Sequence, residues 1–151
     1  MSDLREQFET VLSEFGTVVG CPLALDGDGA CRIVFNGKTE VRLVYDAGED
    51  QVAVSTEVAR LDDDAAETGL ARRLLAAAGD PAVARGCVLA LAAETRMLSL
   101  HDRRPASWLY SADRLAEWFQ SFLWVVDSVE ETLAPKTEMD DLESWKYAIR
   151  V

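Results

Sequence analysis

The feature that most constrains the fold is the order in which the spacing of apolar residues changes along the chain. The first segment has the spacing of an amphipathic helix, with apolar residues at Leu4, Phe8, Val11, Leu12 and Phe15. Gly16 is expected to end this helix. Three segments of alternating apolar and polar residues follow, and then a second helical segment, two more strand-like segments and a long aromatic helix. This order predicts an α+β domain, α-β-β-β-α-β-β-α, whose helices pack on a twisted antiparallel sheet.

Short turn signals place the strands of the first half. Asp28-Gly29 marks a turn before the first strand at 31–35. Asn36-Gly37 is the strongest short hairpin signal, and it joins that strand to a second strand at 39–45. In the second strand Val41, Leu43 and Tyr45 share one face, and Arg42 and Val44 point the other way, as expected of a strand with one buried side. A third alternating strand is expected at 52–58.

The second half begins with a helix that Asp62–Asp64 open, because acidic residues suit the positive end of a helix dipole. Gly79 and Pro81 mark its end. Two strands, at 86–92 and 96–101, form a second hairpin. The first of them is apolar on both faces, which predicts a strand that is covered on both sides.

A long aromatic helix and an acidic tail complete the chain. The helix runs from Ser111 or Asp113 to about Leu133, so that residues 1–134 form a single domain. The tail, 135–151, is acidic in its first half and alternates at 144–151, which predicts a short strand there. That strand is either the last edge strand of this domain or a segment that adds to a sheet edge, its own or a neighbour's.

Charge and cysteine content exclude several classes of function. The net charge of −12 repels phosphate backbones and anionic lipid, so neither nucleic acid nor a membrane is an expected partner. Cys21, Cys31 and Cys87 are an odd number at spacings that fit neither a disulfide framework nor a zinc site. Neither a secretion signal nor a membrane-spanning run is visible, so we expect a cytoplasmic protein.

No coherent catalytic constellation is visible in the sequence. His101 is the only histidine, and no phosphate-binding loop, dinucleotide fingerprint or nucleophile elbow is present. The run Asp26-Gly-Asp28-Gly lacks the later ligands of a calcium loop. We therefore expect no enzyme activity, no catalytic residues, no cofactor and no metal. A small-molecule site or enzyme built around His101, Asp102 and Arg103 is the weakest alternative.

The chain resembles the class I type III secretion chaperones, the Tir-chaperone-like family. The matching features lie between about residues 4 and 133. They are the opening helix with Phe15-Gly16, the pattern Leu23-x-Leu25-Asp26 followed by Gly29-x-Cys31-x-Ile33, the hairpin at Asn36-Gly37, the leucine-rich middle helix at 70–79 and the aromatic last helix. The resemblance implies a homodimer that binds an extended N-terminal segment of a secreted effector. Such a chaperone keeps the effector soluble and competent for export without ATP.

The resemblance also implies which residues form the two binding surfaces. The first helix and first strands would present the effector-binding residues, which are Phe8, Val11, Leu25, Ile33, Val34, Phe35 and Val44. The middle helix and the strand after it would supply the dimer interface, with Leu70, Leu74, Ala78 and Val88. Trp124 is a further candidate for this interface from the residues themselves, because it lies off the main apolar stripe of the last helix, and the sequence does not decide between the two surfaces.

A protein-binding surface also follows from the residues themselves. Five strands cannot all be covered by three helices, and an antiparallel sheet that does not close leaves an edge to which an extended chain can add. The same surface would serve a regulatory or adaptor module that binds a folded partner, and the sequence does not separate this alternative from the chaperone.

Overall fold

The structure is a computed structural model that describes residues 3–61 and 69–134. The predicted helix start at 62–64 and the predicted strand at 144–151 lie outside these residues. The elements in chain order are α1 (Asp3–Val19), β1 (Ala30–Phe35), β2 (Thr39–Asp46), β3 (Gln51–Arg60), α2 (Leu70–Gly79), α3 (Pro81–Ala84), β4 (Val88–Leu91), β5 (Met97–Pro105), a 3₁₀ turn (Ala106–Trp108) and α4 (Ala112–Leu133).

The five strands form one antiparallel sheet in the order β1-β2-β3-β5-β4. The predicted α+β class and the order of its main elements are confirmed. The short helix α3 was not predicted. It begins at Pro81, which suits the first position of a helix, and the Asp80 carboxylate accepts a hydrogen bond from the Ala82 amide at 3.0 Å.

The core lies between one face of the sheet and the helices α1 and α4. The predicted alternation in β2 is confirmed, because Val41, Leu43 and Tyr45 are buried. The ring of Phe119 on α4 lies 5.2 Å from that of Phe15 on α1 and 5.3 Å from that of Phe35 on β1. Aromatic contacts at these distances join the two helices and the sheet into one core.

Two features of α1 and the following loop correct the sequence analysis. The helix continues past Gly16 to Val19. It is Gly20 that ends it, with a φ of 76°, and the Cys21 amide donates to the Gly16 carbonyl at 2.9 Å. Gly16 is instead a point of close approach, where a Cβ atom would lie 2.6 Å from the Cys21 carbonyl oxygen.

The position of β4 also differs from the prediction. It is an edge strand that pairs with β5, and Val88 is 61% exposed and Leu91 55% exposed. The prediction that this strand is covered on both sides is therefore wrong for the chain described here. Apolar residues on both faces reflected an uncovered edge, which local sequence cannot distinguish from a buried strand.

Candidate functional site

The face of the sheet that points away from α1 and α4 is open. The register places Arg32, Arg42, Ser55 and His101 side by side across β1, β2, β3 and β5 on this face. Val34 lies in the neighbouring row, next to the end of β1, and is 60% exposed. The open face therefore combines arginine side chains with exposed apolar ones.

The predicted effector-binding residues divide between the core and this open face. Phe8, Val11 and Ile33 are buried, because the apolar stripe of α1 packs against α4 and, through Phe8, against Tyr45 of β2. Val34 and half-buried Val44 lie on the open face, in rows on either side of the arginine row. The structure thus brings two of the seven predicted residues to one accessible surface.

The other two predicted effector-binding residues are half buried elsewhere. Phe35 points to the helix-covered side, where its ring meets Phe119, and Leu25 packs against the core from the loop before β1. β1 is the outermost strand on this side of the sheet and pairs with β2 alone among the described strands. Within residues 3–61 and 69–134, no strand pairs with its outer edge.

Asp26 shapes the turn that leads into β1. One oxygen of its carboxylate accepts hydrogen bonds from the amides of Asp28 at 2.8 Å and Ala30 at 3.0 Å. These two bonds hold the pKa of Asp26 below its usual value of 3.8, and the bond from the Ala30 amide has the larger effect. The acidic residues that suggested a calcium loop are thus used in a turn, and Gly29 supplies its positive φ of 77°.

A hollow of ≈ 700 Å³ opens where β2 and β3 part. Their ladder ends at the pair Arg42 and Ser55, although β2 starts at Thr39 and β3 continues to Arg60. The Thr56 hydroxyl donates to the Glu40 carbonyl at 2.8 Å, so a side chain takes the place of the next main-chain bond. Beyond this point, the facing main-chain groups of the two strands are separated.

Charged side chains of both signs line this hollow. Arg32 forms an ion pair with Glu40 at 3.3 Å, and Lys38 forms one with Glu130 of α4 at 3.1 Å. The hydrogen bond from Lys38 to Glu130 raises the lysine pKa. Arg42 makes no ion pair with the described residues, although Asp26 is near enough to feel its charge. The sequence does not predict this hollow, because it results from the separation of two strands.

The predicted dimer residues occupy α2, β4 and α4. Leu74 is buried and Leu70 half buried, so both contribute to the core of a protomer. Ala78, Val88 and Trp124 are exposed, and the Arg85 guanidinium lies 3.8 Å from the centre of the Trp124 ring. Leu75 of α2 is 74% exposed and was not predicted, although it adjoins the same apolar stripe.

The polar cluster of His101, Asp102 and Arg103, on which a small-molecule site or enzyme would depend, does not form. His101 is exposed on the open face, where its Nε2 lies 2.8 Å from the Ser99 hydroxyl. Asp102 points to the other side and is buried. Its carboxylate accepts from the Trp118 indole N–H at 2.7 Å and from the Arg104 guanidinium at 2.7 Å. The carboxylate is therefore bound within the fold and does not act together with His101.

Between β5 and α4 lies an exposed surface with aromatic residues that was not predicted. Trp108 is 59% exposed and Tyr110 66% exposed, and both lie between β5 and α4. The Arg114 guanidinium lies 5.1 Å from the Tyr110 ring centre. The sequence does not predict this surface, because these residues belong to no periodic segment. Its one signal is a pair of aromatic residues in the short connection between β5 and α4.

Within residues 3–61 and 69–134, no group of three or more His, Cys, Asp or Glu side chains could hold a metal ion. In the same part of the chain, no helix combines the length and the apolar composition that crossing a bilayer requires.

Comparison with known proteins gives a consistent result at the level of sequence and of fold. Residues 10–130 match the sequence pattern of the Tir chaperone protein (CesT) family. A search of curated protein sequences finds no significant match.

Three solved complexes contain chains with a similar fold. The chain in the HopA1–SchA chaperone–effector complex is 19% identical with a TM-score of 0.69, and the match covers 87% of this chain and 98% of the other. The chain in the ExsC–ExsE complex is 17% identical with a TM-score of 0.70, and the match covers 90% of this chain and 100% of the other. The third complex is that of the Yersinia pestis type III secretion chaperone SycH with a stable fragment of YscM2. Its matching chain is 15% identical with a TM-score of 0.60, and the match covers 81% of this chain and 98% of the other.

Proposed function

Because the chain belongs to the Tir chaperone protein family, we propose that it is a type III secretion chaperone for a secreted effector. In this proposal it binds an extended N-terminal segment of the effector and keeps the effector soluble and competent for export without ATP. It acts in the cytoplasm as a homodimer. The family assignment rests on residues 10–130, which are most of the chain.

The observation that carries the proposal is the open sheet face with an unpaired strand at its edge. Val34 is 60% exposed and sits on β1, which has a strand on only one side within the described sheet. An extended segment could pair with such an edge while its alternate side chains contact Val34 and Val44.

Leu25 and Phe35 are half buried and flank this edge. Phe8, Val11 and Ile33 support the surface from the core.

Simple energetics favour apolar anchors over charge as the source of affinity. Ordering a disordered segment costs about 2–5 kcal/mol or more of the gross interaction energy. Each fully buried Val- or Leu-sized side chain returns about 1.5–3 kcal/mol. A few anchors therefore offset the ordering cost. Exposed ion pairs such as Arg32 with Glu40 contribute at most about 1 kcal/mol each.

The direct test is a pair of single substitutions on the open face. The effector is first captured from the native cytoplasm with the tagged chain and identified by mass spectrometry. We expect Val34→Asp and Val44→Asp each to weaken its binding by about 10- to 100-fold, which corresponds to the loss of one anchor. Calorimetry measures the affinity, and light scattering checks that the dimer is retained.

Val18→Asp is the matched control, because Val18 is an exposed apolar residue on α1, 78% accessible, and lies outside the open face. Binding by this variant should equal that of the parent chain. If both open-face variants bind as tightly as the control, the effector does not use this surface. A partner that is fully folded in isolation would indicate an adaptor instead of a chaperone.

A further inference from the structure

The hollow between β2 and β3 opens beside the end of the last helix. Glu130 of α4 lines it, and the helix ends at Leu133, about 4.5 Å further along the axis. Ala134 is already extended, with φ −61° and ψ 132°. A proline follows it at 135, which disfavours a helical Ala134. The described chain therefore ends next to the hollow at Ala134, and the segment 135–151 begins there.

This segment contains a dense acidic stretch within reach of the hollow. Four of the six residues 138–143 are acidic: Glu138, Asp140, Asp141 and Glu143. An extended chain spans at most about 3.3–3.6 Å per residue, so residue 138 can lie up to about 14 Å from Ala134. The hollow is lined by residues of β1, β2, β3 and β5 as well as α4. From Ala134, an extended chain is therefore long enough to bring residues 138–143 to the hollow.

From this position and charge pattern we propose that the hollow is a docking surface for the acidic stretch 138–143 of the same chain. Among the residues that the structure describes, three guanidinium or ammonium groups line it, those of Arg32, Lys38 and Arg42, together with His101. Two of its three carboxylates, Glu40 and Glu130, are already bound by Arg32 and Lys38.

Beyond these two ion pairs the described hollow keeps one charge of each sign, and the segment also carries both signs. Arg42 is the cation that the described residues leave without an ion pair, and it is available to the acidic stretch. Glu57 is the third carboxylate of the hollow. Lys136 precedes the acidic stretch and supplies a cation for it. The hollow also exposes main-chain groups of β2 and β3 to which an extended segment can hydrogen-bond.

A covalently attached segment has an advantage over any free acidic peptide. Short flexible connections give an effective concentration of the order of millimolar, so weak contacts suffice for docking. The volume of ≈ 700 Å³ lies within the range of about 300–1,000 Å³ that is typical of ligand sites. This contact does not depend on the proposed binding of an effector.

Site-specific photo-cross-linking in the full-length chain tests this contact. Benzoylphenylalanine replaces Met139, which lies between Glu138 and Asp140. Mass spectrometry then locates the cross-links in a mixture of isotopically labelled and unlabelled protein. We expect cross-links to residues 39–42 or 55–58 within the same molecule, and a yield that falls as salt is added.

Paired substitutions separate a specific contact from chance proximity. Arg42→Glu, and separately Asp140→Asn with Asp141→Asn, should each reduce the cross-link yield about two- to fivefold, the range for exposed ion pairs. Arg103→Glu is the control, since Arg103 lies on the same open face but outside the hollow. Circular dichroism verifies folding. Absent cross-links, cross-links between molecules or to other regions, or equal yields for Arg42→Glu and Arg103→Glu would overturn the proposal.

Discussion

At the scale of single residues, Asp102 joins β5 to α4. Its side chain is 4% exposed and accepts hydrogen bonds from the Trp118 indole, the Arg104 guanidinium and the Arg103 amide. A buried carboxylate is tolerated only when it is bound in this way. The same contacts hold the Arg104 and Trp118 side chains in place. Together with Trp108 these side chains line a shallow surface depression that is separate from the hollow between β2 and β3.

Replacing this carboxylate should destabilise the fold. We expect Asp102→Ala to lower the free energy of unfolding by about 2–4 kcal/mol, because the Trp118 N–H and part of the Arg104 guanidinium lose their partner. Urea denaturation measures the change. Glu14→Ala removes an exposed carboxylate from α1 and should change stability by less than about 0.5 kcal/mol. Equal effects of the two substitutions would contradict this role of Asp102.

Asp26 makes the turn before β1 sensitive to acid. Its pKa is lowered in the folded protein by hydrogen bonds from Ala30 and Asp28. Its contribution to stability is therefore complete well above the ordinary value of 3.8 and is lost as the pH falls through the lower folded-state pKa. The stability difference between the parent chain and Asp26→Ala should shrink over this acidic range. Denaturation curves at several pH values measure it, and a constant difference would refute the assignment.

At the scale of secondary structure, the end of α1 depends on a close approach of backbone to backbone. A Cβ on Gly16 would lie 2.6 Å from the Cys21 carbonyl oxygen and 2.9 Å from the Leu23 amide nitrogen. Gly27 has open space around it. The two glycines thus differ in their packing, which makes them a matched pair for substitution.

Alanine at these two positions should have different effects. Gly16→Ala should destabilise the protein by about 1–3 kcal/mol, because the loop after α1 must move away from the helix. Gly27→Ala should be neutral or stabilise it by up to about 1 kcal/mol. Thermal and urea denaturation of both variants measure the difference. Identical stabilities would show that the loop adapts without cost.

The sequence predicted the helices and strands themselves better than it predicted which of them lie side by side. Alternation identified the buried face of β2 at Val41 and Leu43, and Asn36-Gly37 identified the first hairpin, where both residues have positive φ. These signals are local, so each can be read from a few residues. That β4 lies at an edge depends on the order of the strands, which periodicity does not contain. The separation of β2 from β3 was not predictable for the same reason.

Prediction of the candidate site was limited by the same physics. Periodicity identifies apolar faces, but it does not tell which face another element covers. Phe8 and Val34 both belong to apolar patterns, yet Phe8 is 1% exposed and Val34 60% exposed. Trp108 and Tyr110 stand outside any periodic segment and gave no signal of this kind.

At the scale of the whole molecule, the exposed apolar residues of α2, β4 and α4 favour self-association. Val88, Leu91 and Trp124 remain accessible in the protomer, as does Leu75. We expect light scattering to give twice the 16.6 kDa mass of the chain. Each residue of a twofold interface occurs twice, so Val88→Asp should weaken the dimer by about 10²- to 10⁴-fold.

Two variants outside this region are controls for the dimer. Val18→Asp and Val34→Asp replace exposed apolar residues on α1 and on the open sheet face and should leave the dimer mass unchanged. A monomeric parent chain, or a Val88→Asp variant that dimerises as tightly as these controls, would contradict the proposed interface.

The measurement that tests the central claim most directly is limited proteolysis with mass spectrometry on the complex captured from the native cytoplasm. The account predicts a stoichiometric secreted protein that is protected by this chain over an N-terminal stretch alone, and whose protection persists without ATP. Recovery of the chain by itself, or together with a partner that is folded and equally protected in its absence, would contradict it.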